Sequence, residues 1–171
     1  IAFHHRLTDA IVRISTPERR FKRVNRDEIR STGIELLGGV NWRGWGLSGE
    51  TMIQRVRVHD PDAGSSHRPE HQPEFSAALD LVAPLPMGVR GGATLRYKGT
   101  QYCVHPDLGD DVELEGTPRF DVELARSWSV GRRGTRVELL GALDNVGDAA
   151  VYDQCGMPES GRVLRMQVRL Y

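Results

Sequence analysis

Residues 161–171 read GRVLRMQVRLY, and the fold turns on how they are read. Leu164, Met166, Val168 and Leu170 alternate with Arg165, Gln167 and Arg169, the period-two signature of a strand with one apolar and one polar face. An edge strand in water is usually blunted by the chain just beyond it, yet here an aromatic, Tyr171, comes directly after Leu170. An aliphatic face, a cationic face and a closing aromatic suit a barrel in lipid, where outward and inward residues alternate. The last strand of a soluble sandwich satisfies the same pattern, so this stretch alone leaves both open.

The rest of the chain is patterned the same way. Helical periodicity is poor throughout, whereas short alternating runs bounded by turn residues recur. Residues 1–14 run from Phe3 to the β-branched pair Ile11-Val12, and 15–27, charged and containing Pro17, read mostly as loop. Residues 28–42 place Ile34, Leu36, Gly38, Val40 and Trp42 on one face; 43–46 (RGWG) turn the chain and 47–58 return it. The polar, Pro-rich stretch 60–73 reads as a long structureless loop. Phe75, Ala77, Leu79 and Leu81 alternate before the Pro-rich turn 84–88, and Val89, Gly91, Ala93, Leu95 and Tyr97 after it. A polar loop at 105–111 precedes Phe120, Val122, Leu124, Trp128 and Val130, with Arg126 the one exception on that face. A turn at 131–134, a strand at 135–144 and a last loop at 145–160 lead to the closing strand.

Eight strands result, and their connections alternate in length. Short turns come after Trp42, Val82 and Val130; long polar loops come after Ile14, Val58, Cys103 and Asp144. That rhythm is expected of an antiparallel up-and-down membrane barrel, with tight turns on one side and long loops on the other. Trp42, Trp45 and Trp128 fall at or near the short-turn ends, as an interfacial aromatic girdle requires; core tryptophan is the plain alternative.

Composition narrows function. The 171 residues carry 23 basic and 23 acidic side chains, so no net charge or basic run points to nucleic acid. No apolar run approaches the ~18 residues of a membrane helix, which leaves open a barrel built from strands of ~10 alternating residues. The chain starts at Ile1 inside a patterned segment, and the expectation is a piece of a longer polypeptide. Nothing marks an enzyme or a cofactor: no histidine accompanies a nucleophile signal, and Gly91-Gly92 lacks the lysine of a phosphate loop. His59, Asp60, Asp62, His67, Glu70 and His71 could offer a transition metal nitrogen and oxygen ligands, but match no metal spacing. Asp107, Asp110, Asp111, Glu113 and Glu115 lack the ligand order of a calcium loop. Both groups therefore read as solvated loop, and His4-His5 as residues on opposite faces of one strand. Cys103 and Cys155 form neither a CxxC nor a zinc pattern, and are either a disulfide or two unrelated thiols.

Several stretches in order resemble the C-terminal barrel region of TonB-dependent outer-membrane receptors. The strand at 3–14 followed by Arg23-Val24-Asn25 and Ser31-Thr32-Gly33-Ile34-Glu35-Leu36 is one. Arg68-Pro69-Glu70-His71, the 84–88 turn and Tyr97-Lys98-Gly99 are the next, then Leu143-Asp144-Asn145-Val146-Gly147-Asp148 with Tyr152, and Gly161-Arg162. The resemblance covers essentially the whole chain, residues 1–171. It implies the last eight or so strands of a 22-stranded barrel closed by an N-terminal plug that lies outside this chain. It also implies an outer-membrane location, a small-molecule ligand such as an iron–siderophore complex or cobalamin, and an inner-membrane energy-transducing complex as partner. Members close on a phenylalanine in phase with the outward residues of the last strand. Tyr171 is out of phase with Leu164, Met166, Val168 and Leu170, so the expectation is a bulge at the strand's end or a chain that continues.

In such a barrel Cys103 and Cys155 both lie at the outer end, where an oxidising surface favours a disulfide. Two other readings stay open: a stand-alone eight-stranded membrane barrel with a structural or adhesive role, and a soluble β-sandwich binding module.

Overall fold

A computed structural model describes residues 1–15, 21–60, 65–105, 111–131 and 134–171, with the backbone alone at 12–15, 21, 24–27, 60, 65, 67 and 154. In chain order the strands are β1 (Ala2–Ser15), β2 (Phe21–Trp42), β3 (Trp45–Asp60), β4 (Ser65–His67), β5 (Phe75–Leu85), β6 (Val89–Lys98), β7 (Gln101–Val104), β8 (Asp111–Leu114), β9 (Thr117–Val130), β10 (Thr135–Asp144), β11 (Tyr152–Gln154), β12 (Met157–Pro158) and β13 (Val163–Leu170). Among the described residues one antiparallel sheet dominates, in the order β1-β2-β3-β5-β6-β9-β10-β13, with the short β4 beside β3. Each long strand pairs with the next long strand in sequence, as an up-and-down meander does. The sheet is open: β1 and β13 are its two edges.

The register separates two faces along every strand. Leu164, Met166, Val168 and Leu170 lie opposite Leu143, Gly141, Leu139 and Val137, which lie opposite Val122, Leu124, Arg126 and Trp128. The same face continues through Leu95, Ala93 and Gly91 of β6 to Leu79, Leu81 and Ala83 of β5. It ends on Leu47, Gly49 and Ile53 of β3 and Val40, Gly38 and Ile34 of β2. Among the described residues no second sheet covers this apolar face: Leu36 is 60%, Leu164 73% and Val168 64% exposed. A sandwich would pack these residues about 10 Å from a facing layer, and among the described residues no such layer lies there. Asp121 and Glu123, with Arg165, Gln167 and Arg169, occupy the opposite face. What is buried is small and lies largely there, Ala125 and Leu140 with Ala142 forming one cluster.

Three features differ from the sequence reading. Most of 15–27 reads as loop, yet β1 and β2 stay paired out to Ser15 and Phe21. A two-stranded ribbon covers no core, so it needs no apolar alternation, and its charges hide it from a pattern search. Within 60–73, β4 pairs with the end of β3, Val58 opposite His67. At the other end no bulge forms: pairing runs one to one from Val163 to Leu170, and Tyr171 exchanges both backbone hydrogen bonds with Arg136 at 2.9 and 3.1 Å. Tyr171 therefore falls on the polar face.

Gly33 marks a close approach. A Cβ there would lie 2.6 Å from the Ile53 carbonyl oxygen and 2.6 Å from the Phe3 ring, whereas one at Gly38 would meet nothing within 4 Å. Phe3 faces Gly33 across the β1–β2 ladder and covers the strand that glycine leaves bare. Gly33→Val should lower stability by roughly 1–3 kcal/mol through overpacking, read as a shifted denaturant midpoint of the intact protein. Gly38→Ala should leave that midpoint within about 0.5 kcal/mol.

Candidate functional site

The polar face carries the concentrated chemistry. Its upper part, over β5, β6, β9, β10 and β13, holds a recess of ≈ 340 Å³ lined among others by Asp80, Arg96, Arg119, Asp121, Asp144 and Arg165. A second recess of ≈ 550 Å³ shares Arg119, Asp144 and Arg165 and reaches Glu159 and Ser160 in the last loop. Strand alternation aims these charges the same way, since each sits one residue out of phase with the apolar set.

Asp121 is the hub. Its Oδ2 accepts from Arg96 Nη1 at 2.8 Å, and its Oδ1 from Arg119 Nε at 3.0 Å and from the Asn145 backbone N–H at 2.7 Å. Arg119 Nη1 also donates to Glu159 Oε2 at 2.6 Å, which couples β9 to the last loop. Lys98 Nζ donates to Asp153 and lies 3.8 Å from Glu159. The Lys98 ammonium holds the Asp153 carboxyl below its usual range. Arg165 reaches diagonally to Asp144 with two donors. Lower on the same face the buried Glu138 accepts from Ser127 at 3.2 Å and Arg169 at 3.3 Å, with Arg90 at 3.9 Å. Two carboxylates thus organise four guanidinium groups from three strands, fixing a polar wall in place.

Asn145 orders the last loop. It is 1% exposed; its Nδ2 donates to the Ala149 and Ser160 carbonyls, and its Oδ1 accepts from the Ala149 N–H at 2.9 Å. Both Asn145 and Asp148 have left-handed φ, 51° and 52°, which Asn and Asp tolerate best among non-glycine residues. Asp148 Oδ1 accepts from the Arg162 N–H at 2.8 Å, closing the loop onto β13. Sequence reasoning quotes this stretch as a family-like motif but gives it no role; two turn-forming residues three apart after a strand are the signal.

The other residues singled out from sequence fall at several places in the fold. Cys103 and Cys155 are joined as a disulfide with Cα atoms 6.0 Å apart. It ties the β7–β8 hairpin to the β11–β12 hairpin, and Gln101 Nε2 donates to the Tyr152 carbonyl beside it at 3.3 Å. Trp42 and Trp45 pair across their turn, Trp128 lies two residues before the end of β9, and all three share the apolar face. Arg43 stacks over Trp42 at 4.9 Å and Arg126 over Trp128 at 5.4 Å. His4 bonds Thr32 Oγ1 at 2.8 Å, while His5 packs against Phe3 on the other face.

Among the described residues no three His, Cys, Asp or Glu converge as metal ligands. His71 Nε2 lies 3.7 Å from Glu70, and His59 stands apart on β3, opposite Ser66. Asp111 and Glu113 share one face of β8, with Glu115 just beyond it. Asp62, Asp107 and Asp110, and the side chains of Asp60 and His67, lie outside the described residues.

No family model matches the sequence, and no curated protein does. Solved structures do. The chain superposes on FpvAI in its complex with pyocin S2 at a TM-score of 0.71 and 13% identity, over 98% of this chain and 24% of that one. It superposes on the FrpB iron transporter of Neisseria meningitidis at 0.70 and 19%, over 98% and 26%. FpvA of P. aeruginosa bound to heterologous pyoverdines gives 0.71 and 13%, over 98% and 24%. The chain spans about a quarter of the length of these neighbours. At such identities the likeness carries the fold alone: over 98% of its length the chain has the antiparallel-sheet fold of a region of these neighbours, which are TonB-dependent receptor barrels.

Proposed function

We propose that residues 1–171 form the C-terminal part of the barrel of an outer-membrane receptor that takes up a scarce ligand, such as an iron–siderophore complex or cobalamin, with energy supplied from the inner membrane. The observation that carries this reading is the uncovered apolar face, continuous from β2 to β13 over seven long strands whose other face is charged. In water such a surface is a liability; against lipid it is the required exterior, with the charged face turned to the lumen and a plug. The two sheet edges then pair with further strands of the same barrel, because unpaired backbone groups are not tolerated in hydrocarbon.

The tryptophans support this placement. At the register of Trp45 the neighbouring strands carry Gly91 and Leu124, so Trp128 sits four residues lower, three strands away. With ~3.3 Å per residue and ~4.8 Å between strands, that offset corresponds to a strand tilt of about 40°, within the range of membrane barrels. On strands so tilted, Trp42, Trp45 and Trp128 stand at one height, the inner interface. The ring pair of Phe75 and Tyr97, 5.8 Å apart, marks the opposite end.

Three outcomes check the proposal. Cells relying on the full receptor should accumulate a labelled ferric siderophore or cobalamin only while the inner membrane is energised. Uptake that persists without a proton gradient rejects the transport reading. Leu79→Arg, near mid-membrane on the outward face, should cost about 2–4 kcal/mol in lipid, against about 1 kcal/mol for its inward neighbour Asp80→Asn, in denaturant titrations of the receptor. The cysteines should be oxidised in receptor taken from the cell surface, so that thiol labelling appears only after reduction. Cys103→Ser should loosen both outer hairpins to protease and cost up to about 4 kcal/mol by the loop-entropy relation for a separation of 52 residues.

A further inference from the structure

We infer that the outward face of β1–β3 holds a binding site for the phosphate of an anionic outer-leaflet lipid, centred on Arg30, Arg55 and Arg57. The inference rests on the membrane placement proposed above. Above the apolar row of Ala2, Ile34, Ile53 and Phe75, the outward face of these strands changes character at once. The next row is His4, Thr32 and Arg55, and the row beyond it is Arg6, Arg30 and Arg57. Three arginines directly opposite one another repel, and an exposed surface gains nothing from that arrangement unless anions occupy it.

Among the described residues the neighbouring anions are too few. Glu28 takes Arg6 at 2.7 Å and also Arg30; these two cations, Arg30 foremost, hold its carboxyl down to about 2, so it is ionised throughout the working pH range. Glu74 takes Arg57 at 3.3 Å and Arg68 at 3.7 Å. Two carboxylates therefore serve four guanidinium groups, and the fifth, Arg55, makes no ion pair among the described residues. Arg6 and Arg30 stay more than half exposed despite their pairing, with donors left for an incoming oxyanion.

Height selects the occupant. Arg30 and Arg57 lie twelve residues along their strands from Trp42 and Trp45. At ~3.3 Å per residue and a tilt of about 40° that is roughly 30 Å above the inner girdle, and Arg55 roughly 25 Å. The apolar band of such barrels is ~25 Å tall. Arg55 thus stands at its upper rim and the Arg30–Arg57 row a few Å above, where lipid phosphates lie and acyl chains meet Ile34 and Ile53. A phosphate there gains several charge-assisted bonds while its chains cover the adjoining apolar row.

The test uses the complete receptor in phosphatidylcholine nanodiscs with or without phosphatidic acid as the phosphomonoester probe, followed by native mass spectrometry of retained lipid. Successful insertion with the apolar face protected checks the membrane placement; lipid selectivity checks the site. Retained phosphatidic acid should exceed phosphatidylcholine, and Arg55→Gln together with Arg30→Gln should lower it at least fivefold. Arg126→Gln, outward but at the inner end, should leave it unchanged. Equal retention by wild type and the double variant, or loss with Arg126→Gln alone, overturns the inference. So does displacement of the lipid by millimolar inorganic phosphate, which would make this a free-anion site. Should the double variant misfold, Arg55→Gln alone, which breaks no ion pair, should still lower retention at least twofold.

Discussion

The backbone ladder is the constraint on which everything else depends. A strand in hydrocarbon must exchange every N–H and C=O with a neighbour, because no water is present to replace a missing partner. Pairing between successive long strands from β5 to β13 runs one to one, and only β1 and β13 keep an open edge in this sheet. With the ladder fixed, alternation leaves each strand a choice on only two faces. The outward face must be apolar and can be nearly anything apolar, which is why Leu, Val, Ala and Gly share it without a jigsaw core. The polar face is free to carry charge, provided the charges compensate one another.

That compensation is what shapes the polar face. Asp121 and Glu138 each gather cations from neighbouring strands, so the wall is rigid through charge-assisted hydrogen bonds rather than through buried apolar area. The Asp121 network continues into the last loop through Arg119–Glu159 and the Asn145 N–H. The disulfide joins that same loop to the β7–β8 hairpin. The last loop is thereby held by ions on one side and by a covalent bond on another.

The fold was legible because its constraint is periodic. Leu164 to Leu170 and Phe120 to Val130 show a period of two that any apolar-outside strand must show, and the turns at 43–44 and 131–134 announce themselves by glycine. Legibility failed where no face is buried. Residues 21–27 pair in a solvated ribbon, and their charges look like loop because nothing there distinguishes inside from outside. The candidate site was legible only in part for a related reason. Arg119, Asp121 and Glu159 are ordinary polar-face residues in sequence, and their convergence depends on register between β9 and a loop about 40 residues away. Tyr171 is the opposite case: its phase is evident from sequence, and the structure keeps it, placing the ring on the polar face without a bulge.

Tilt links the two ends of this sheet. The stagger that brings Trp128 level with Trp42 and Trp45 also decides which residues stand at the far interface. With untilted strands the Arg30–Arg57 row would ride roughly 40 Å above the tryptophans at ~3.3 Å per residue, well clear of any headgroup. With the tilt it descends to the edge of the apolar band. The tilt that levels the three tryptophans therefore also sets the height of the cationic row on the other side. Along β2 and β3, which carry both levels, their separation is that of a single apolar band.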